Sequence, residues 1–215
     1  MKFFLDSANL DEIKAAKDMG LLDGVTTNPT LFSKEKGAWR DLAQAICKEC
    51  EGPVSLEVVG LTAPEMLAEA KDLIGFGPNV TVKIPMTLEG LKAVRALRAQ
   101  EIDVNVTLVF QPLQALMAAK AGATYVSPFV GRLDAIGGDG MAMVEEVVTI
   151  FRNYDLRTQV LVASVRNPLH VVRAALMGAD VVTVPFAVLK DFVKHPLTDA
   201  GLEAFLKDWG KVAKS

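Results

Sequence analysis

Residues 2–9 read Lys2-Phe3-Phe4-Leu5-Asp6-Ser7-Ala8-Asn9, and the turn that closes this stretch separates two folds. Lys2 to Asp6 is a short β-type run, and similar runs follow at Gly24 to Asn28, Val54 to Val59, Val80 to Pro85, Val104 to Val109, Tyr125 to Phe129, Val160 to Ser164 and Val181 to Pro185. Longer helical runs separate them, an alternation that reads as a parallel α/β architecture. An open doubly wound sheet shares the alternation but usually carries a glycine-rich phosphate turn after its first strand. Asp6-Ser7-Ala8-Asn9 has no G-x-G-x-x-G. The expected fold is therefore a closed (β/α)8 TIM barrel. Ala121-Gly122-Ala123 before Tyr125 and Met177-Gly178-Ala179 before Val181 repeat one device, a glycine that ends a helix and releases a strand. No low-complexity linker divides the chain, so residues 1–215 are expected to form one domain.

The length of 215 residues suits one full-sized core. A net charge of -3 supplies no basic field for nucleic acid or an anionic membrane, which points to small molecules or further copies of the chain as partners. No stretch approaches the ~20 apolar residues of a membrane span, and the N-terminus is too briefly hydrophobic for a signal peptide; a cytoplasmic location is expected. Cys47 and Cys50 form a lone C-x-x-C, and His170 and His195 share no ligand-type spacing with them, so no zinc site is expected. The pair ends the helical run Trp39 to Glu51 rather than starting one, so no dipole activates it; two inert thiols are expected.

Strand alternation assigns the barrel interior. Val80, Val82 and Ile84 share one face, which leaves Thr81 and Lys83 on the other. A lysine in mid-strand among valine and isoleucine loses hydration of its charge, which favours the neutral amine needed for Schiff-base chemistry. The alternative is a structural lysine paired with a carboxylate. The same reasoning turns Glu57 inward against Val54, Leu56 and Val58; Asn105 and Thr107 inward against Val104, Val106 and Leu108; Asp6 inward against Phe3 and Leu5; and Thr26 and Asn28 inward against Val25. A barrel interior serving stability alone is layered with Val, Ile and Leu, so seven polar groups near strand ends imply ligand and chemistry. With two carboxylates beside one lysine, either both shuttle protons or one is a counter-ion. Arg132 and Ser164-Val165-Arg166 follow the sixth and seventh strands, where barrels often hold phosphate, and two arginines with a hydroxyl form an anion clamp. Ala135 to Gly140 lacks the Lys-Ser/Thr of a P-loop and reads as a flexible βα loop that helps close the site.

Phe4-Leu5-Asp6, Gly24-Val25-Thr26-Thr27-Asn28-Pro29, Glu57-Val58, Val82-Lys83-Ile84-Pro85, Asn105-Val106-Thr107-Leu108, Ser127-Pro128-Phe129-Val130-Gly131-Arg132-Leu133-Asp134 and Ala163-Ser164-Val165-Arg166 together resemble the transaldolase family. The motifs run in order along nearly the whole chain, and its length resembles the short branch that includes the fructose-6-phosphate aldolases. The resemblance implies that Lys83 forms an imine with a ketose phosphate and that Asp6 takes the proton from the hydroxyl beside the breaking bond. It also implies that Glu57 and Thr107 hold a proton-relaying water. Thr26, Asn28 and Asn105 then bind substrate hydroxyls or order the carboxylates, and Ser164, Arg132 and Arg166 hold the phosphate. No metal or organic cofactor is implied.

The aldolase branch has glutamine and tyrosine where this chain has Glu57 and Phe129, and both differences point to transfer. A lyase that splits fructose 6-phosphate is the alternative activity, and a silent sugar-phosphate-binding barrel is a third reading. Leu202, Phe205, Leu206, Trp209 and Val212 recur at helical spacing, giving an amphipathic last helix that covers either its own barrel or a neighbouring subunit. Similar short transaldolases form rings of five or pairs of such rings, which implies a homo-oligomer, pentamer or decamer.

Overall fold

The computed structural model describes residues 1–212. Eight parallel strands, β1 (Lys2–Asp6), β2 (Gly24–Thr26), β3 (Val54–Glu57), β4 (Val80–Pro85), β5 (Val104–Val109), β6 (Tyr125–Pro128), β7 (Gln159–Val162) and β8 (Val181–Val184), pair in sequence order. The last pairs back onto the first and closes the barrel, as the sequence led us to expect. The helices are α1 (Leu10–Asp18), α2 (Pro29–Phe32), α3 (Trp39–Glu49), α4 (Ala63–Leu73), α5 (Leu88–Arg98), α6 (Pro112–Ala121), α7 (Val130–Asp134), α8 (Gly140–Asn153), α9 (Pro168–Met177), α10 (Phe186–Asp191) and α11 (Pro196–Val212).

Local chemistry starts and stops these elements. Asn9, Thr62, Thr87, Asp139 and Asn167 each accept backbone N–H groups at a helix start, and Thr62 forms a reciprocal capping box with Glu65. Gly122 and Gly178 end α6 and α9 at φ 99° and 83°, the left-handed conformation in which a side chain is strained.

Outward strand residues such as Val25, Val54, Val82, Ile84, Val104 and Val106 are buried under the helices. A second, smaller cluster of Phe4, Tyr125, Leu161, Ala163 and Val181 fills part of the barrel interior, with the Phe4 and Tyr125 rings edge to face at 6.0 Å. Gly24 makes room for it: a Cβ there would come within 2.6 Å of the Phe4 ring. Phe4 precedes Asp6 by two residues on the same face, so the apolar plug lies beneath the polar end of the barrel.

The structure corrects two expectations. In β5 the register shifts between Val106 and Val109, and Leu108 adopts φ 60°. The bulge moves Val109, rather than Leu108, into the core under the helices, while Leu108 is only half-buried. The glycine-rich stretch is not a βα loop: residues 135–139 connect α7 to α8, which begins at Gly140, and none of them lines the cavity described below. On α11 no residue is buried, and Leu202, Phe205, Leu206 and Trp209 are 57–74% exposed, so its apolar face does not cover its own barrel.

Candidate active site

Lys83 sits in mid-β4, buried, with its Nζ 3.0 Å from Glu57 Oε2 on β3. The same nitrogen donates to the Thr27 carbonyl at 2.9 Å. Strand register produces the pairing, because Glu57 and Lys83 are direct neighbours in the β3–β4 ladder and Asn105 is the neighbour of Lys83 in β5. The lysine is therefore paired with a carboxylate, and it also lines an open cavity of about 360 Å³. A carboxylate in contact with the ammonium is placed to receive the proton that must leave before the amine can attack a carbonyl.

Asp6, at the end of β1, lines the same cavity and is the one acidic residue among its lining groups. Burial pushes its carboxyl pKa up, opposed in turn by the Lys83 charge, a hydrogen bond from Thr26, and the charges of Arg166 and Lys34. Thr26 Oγ1 donates to Asp6 Oδ1 at 2.8 Å and lies 2.6 Å from Thr183 Oγ1. With the single Thr26 proton directed at Asp6, Thr183 is the donor in that second contact. The result is an oriented carboxyl group with raised basicity, facing the space beside the lysine.

The interior polar groups beneath this layer are held by one another. Asn105 donates through Nδ2 to Ser55 Oγ at 3.1 Å and accepts from Ser127 Oγ at 2.7 Å, which fixes its amide. Thr107 is fully buried and its hydroxyl has no hydrogen-bond partner among the described residues. Burying a hydroxyl without a partner costs ~1–3 kcal/mol, so this group is poised for a small ligand or water.

At the other side of the cavity lie Arg132 on α7 and Ser164 and Arg166 in the loop after β7. The Arg132 guanidinium is 5.0 Å from the Phe129 ring centroid, which holds it in place without neutralising it. Ser164 adopts φ 59° and its buried Oγ has no hydrogen-bond partner among the described residues. A strained backbone that holds an unsatisfied hydroxyl beside two arginines fits anion binding. Helix α7 and the loop after β7 approach closely at Gly131, where a Cβ would lie 2.2 Å from the Ser164 carbonyl oxygen and 2.6 Å from Arg166 Cγ.

Of the residues expected from sequence, Asp6, Thr26, Asn28, Lys83, Phe129, Arg132, Ser164 and Arg166 line the one cavity. Glu57 meets Lys83 but opens instead onto a second, largely apolar cavity with Phe32, Trp39 and Leu56, while Asn105 and Thr107 lie below the surface. Asn28 spends its side-chain oxygen capping α2, accepting from Leu31 N–H at 2.9 Å. Sequence reasoning missed Lys34, Thr30, Ser127 and Thr183. The alternation of Val181-Val182-Thr183-Val184 carried the signal for Thr183, whereas Lys34 follows a four-residue helix and no strand pattern points to it. Among the described residues no group of three His, Cys, Asp or Glu is arranged to hold a metal ion. Cys47 and Cys50 are buried free thiols, and burial raises both, Cys47 to about 11.

The model of the transaldolase/fructose-6-phosphate aldolase family matches residues 3–215. A probable transaldolase of Maridesulfovibrio salexigens is 62% identical over 214 residues, covering 100% of both chains. Probable transaldolases of Thermoplasma volcanium and Aquifex aeolicus are each 60% identical, covering 99% of this chain and 97% and 98% of their own. The chain belongs to the transaldolase/fructose-6-phosphate aldolase family.

Proposed function

We propose that this barrel is a transaldolase, moving a dihydroxyacetone unit from fructose 6-phosphate or sedoheptulose 7-phosphate to erythrose 4-phosphate or glyceraldehyde 3-phosphate. The observation that carries the reading is Lys83, buried at the cavity and in contact with Glu57, with Asp6 on the same cavity. Lys83 gives up a proton and its amine adds to the ketose carbonyl; loss of water, through Glu57 and a water molecule held by the Thr107 hydroxyl, leaves a protonated imine. Asp6 takes the C4 hydroxyl proton, the C3–C4 bond breaks, and its electron pair moves to the imine nitrogen. An aldose phosphate leaves and an enamine remains on Lys83. The enamine carbon then attacks the acceptor aldehyde, Asp6 returns its proton to the new alkoxide, and hydrolysis releases the product. The imine nitrogen is the electron sink, so no cofactor takes part.

Arg132, Arg166 and Ser164 bind the phosphate of donor and acceptor in turn, which fixes the reacting carbon near Lys83. Thr26 orients Asp6, Asn28 orders substrate hydroxyls, and Asn105, held between Ser55 and Ser127, orders the polar groups beneath the lysine. Phe129 places an apolar edge where a phenol would deliver a proton, so the enamine persists until an aldehyde arrives. Glu57 and Phe129 both argue against the lyase alternative, as do the names of the similar proteins.

The setting we propose is sugar interconversion in the pentose phosphate pathway, in the cytoplasm; among the described residues no helix is long and apolar enough to cross a membrane. The exposed apolar face of α11 supports a homo-oligomer, pentamer or decamer, in which that face packs on a neighbour. A monomeric mass by light scattering contradicts the assembly. For the chemistry, borohydride reduction in the presence of fructose 6-phosphate should leave a covalent adduct on Lys83 in the wild type and none in Lys83→Ala; an unmodified wild type would indicate a binding protein.

A further inference from the structure

Asp134 closes the Gly131-Arg132-Leu133-Asp134 motif and His170 lies in the first turn of α9, and the mechanism above uses neither. His170 is 8% exposed, and its Nε2 is 3.0 Å from Asp134 Oδ2. Its other ring nitrogen, Nδ1, accepts the backbone N–H of Arg166 at 3.4 Å. A nitrogen that accepts carries no proton, so in the neutral ring the proton is on Nε2 and is donated to Asp134. Asn167 Nδ2 is 3.4 Å from Nε2, but it cannot donate to a nitrogen that already bears a proton, and its oxygen caps α9 by accepting His170 N–H at 3.1 Å. The second Asp134 oxygen accepts Gly140 N–H at 2.8 Å, which fixes the carboxylate. One imidazole thus joins the helix that carries Arg132 to the backbone of Arg166. The Gly131 N–H to Ser164 carbonyl bond at 3.0 Å makes a second stitch between the same two segments.

We propose that His170 and Asp134 are positioning residues for phosphate recognition, pinning the two arginine-bearing segments so that both guanidiniums and the Ser164 hydroxyl converge on one phosphate. This rests on the reading of Arg132, Ser164 and Arg166 as the phosphate site. Two exposed arginines on independent loops would bind an anion only after ordering, whereas a pinned pair is preorganised. Neither His170 nor Asp134 lines the cavity, so losing the pin should act on phosphate affinity rather than on the imine.

The test compares erythrose 4-phosphate with unphosphorylated erythrose as acceptors in wild type, His170→Asn, Asp134→Asn and Arg166→Ala, with inorganic phosphate as a competitive inhibitor. Borohydride trapping with dihydroxyacetone checks that each variant is folded with Lys83 reactive. In His170→Asn and Asp134→Asn, KM for erythrose 4-phosphate should rise ~10- to 100-fold with kcat nearly kept. Phosphate inhibition should weaken to match, while kcat/KM for erythrose at saturating fructose 6-phosphate and dihydroxyacetone trapping stay within about two-fold of wild type. If Arg166→Ala loses the preference for the phosphorylated acceptor but the His170 and Asp134 variants keep it, the pin is refuted and the phosphate site stands. If Arg166→Ala keeps it too, the phosphate site fails and takes the pin with it. Equal losses on both acceptors, or loss of trapping, would mean that the pair supports the fold and not phosphate recognition.

Discussion

Lys83 and Glu57 touch at 3.0 Å but open onto different cavities, the lysine onto the polar one that Asp6 lines and the glutamate onto an apolar one lined by Phe32, Trp39 and Leu56. The carboxylate can thus accept the lysine proton without occupying the space that the ketose needs. Glu57→Gln keeps the shape and removes the charge that takes the proton. Imine formation, followed by quenched-flow borohydride trapping, should slow ~10- to 100-fold without disappearing. An unchanged trapping rate would leave Glu57 as a counter-ion only.

Asp6 gives a pH prediction with a definite sign. Its carboxyl is raised by burial above the ordinary carboxylate range, so its contribution to stability is fully present below the unfolded-state value and is lost as the pH rises through the folded-state value. Asp6→Asn should therefore gain thermal stability relative to wild type as the pH is raised from the acid side toward neutrality, while transfer activity falls by ~100-fold or more. In the wild type the acid limb of kcat/KM should lie above the pH at which an ordinary aspartate titrates. A melting-temperature difference between the two proteins that does not change with pH would contradict the burial argument.

Phe129 separates transfer from cleavage. Phe129→Tyr restores a phenol beside the Arg132 guanidinium and should increase free dihydroxyacetone released from fructose 6-phosphate without acceptor, by ~10-fold or more. An enzymatic assay for dihydroxyacetone reads it directly. No increase would mean that the ring does not control the fate of the enamine.

Gly24 tests the apolar plug beneath the site. A methyl group there meets the Phe4 ring at 2.6 Å, and Phe4 packs on Tyr125 below Asp6. Gly24→Ala should destabilise the fold by ~1–3 kcal/mol, visible as a lower denaturation midpoint with an unchanged slope. A midpoint equal to wild type would show that Phe4 moves aside freely.

The barrel was legible because its strands carry clean two-residue alternation, and β1, β4 and β5 begin and end where Lys2–Asp6, Val80–Pro85 and Val104–Val109 predict. β2, β3, β6 and β8 stop one or two residues sooner than the pattern suggests, and β7 begins one residue earlier and also ends two residues short. Two of the residues beyond these strand ends do local work instead: Asn28 caps α2 and Ser164 turns to φ 59°. The same alternation placed Lys83, Glu57 and Asp6, since side-chain direction in a strand follows from parity. It failed at Leu108, where a bulge breaks parity without a glycine to announce it. It was silent on Lys34 and on the His170–Asp134 contact, which depend on how loops meet across the barrel mouth. Those meetings are set by Gly131 and by helix caps rather than by any periodic pattern.

The most direct measurement is glyceraldehyde 3-phosphate release from fructose 6-phosphate, with and without erythrose 4-phosphate, in wild type and Lys83→Ala. Sustained turnover that requires the acceptor and vanishes in Lys83→Ala is the predicted result; turnover that is independent of acceptor, or that survives loss of Lys83, would contradict the transaldolase assignment.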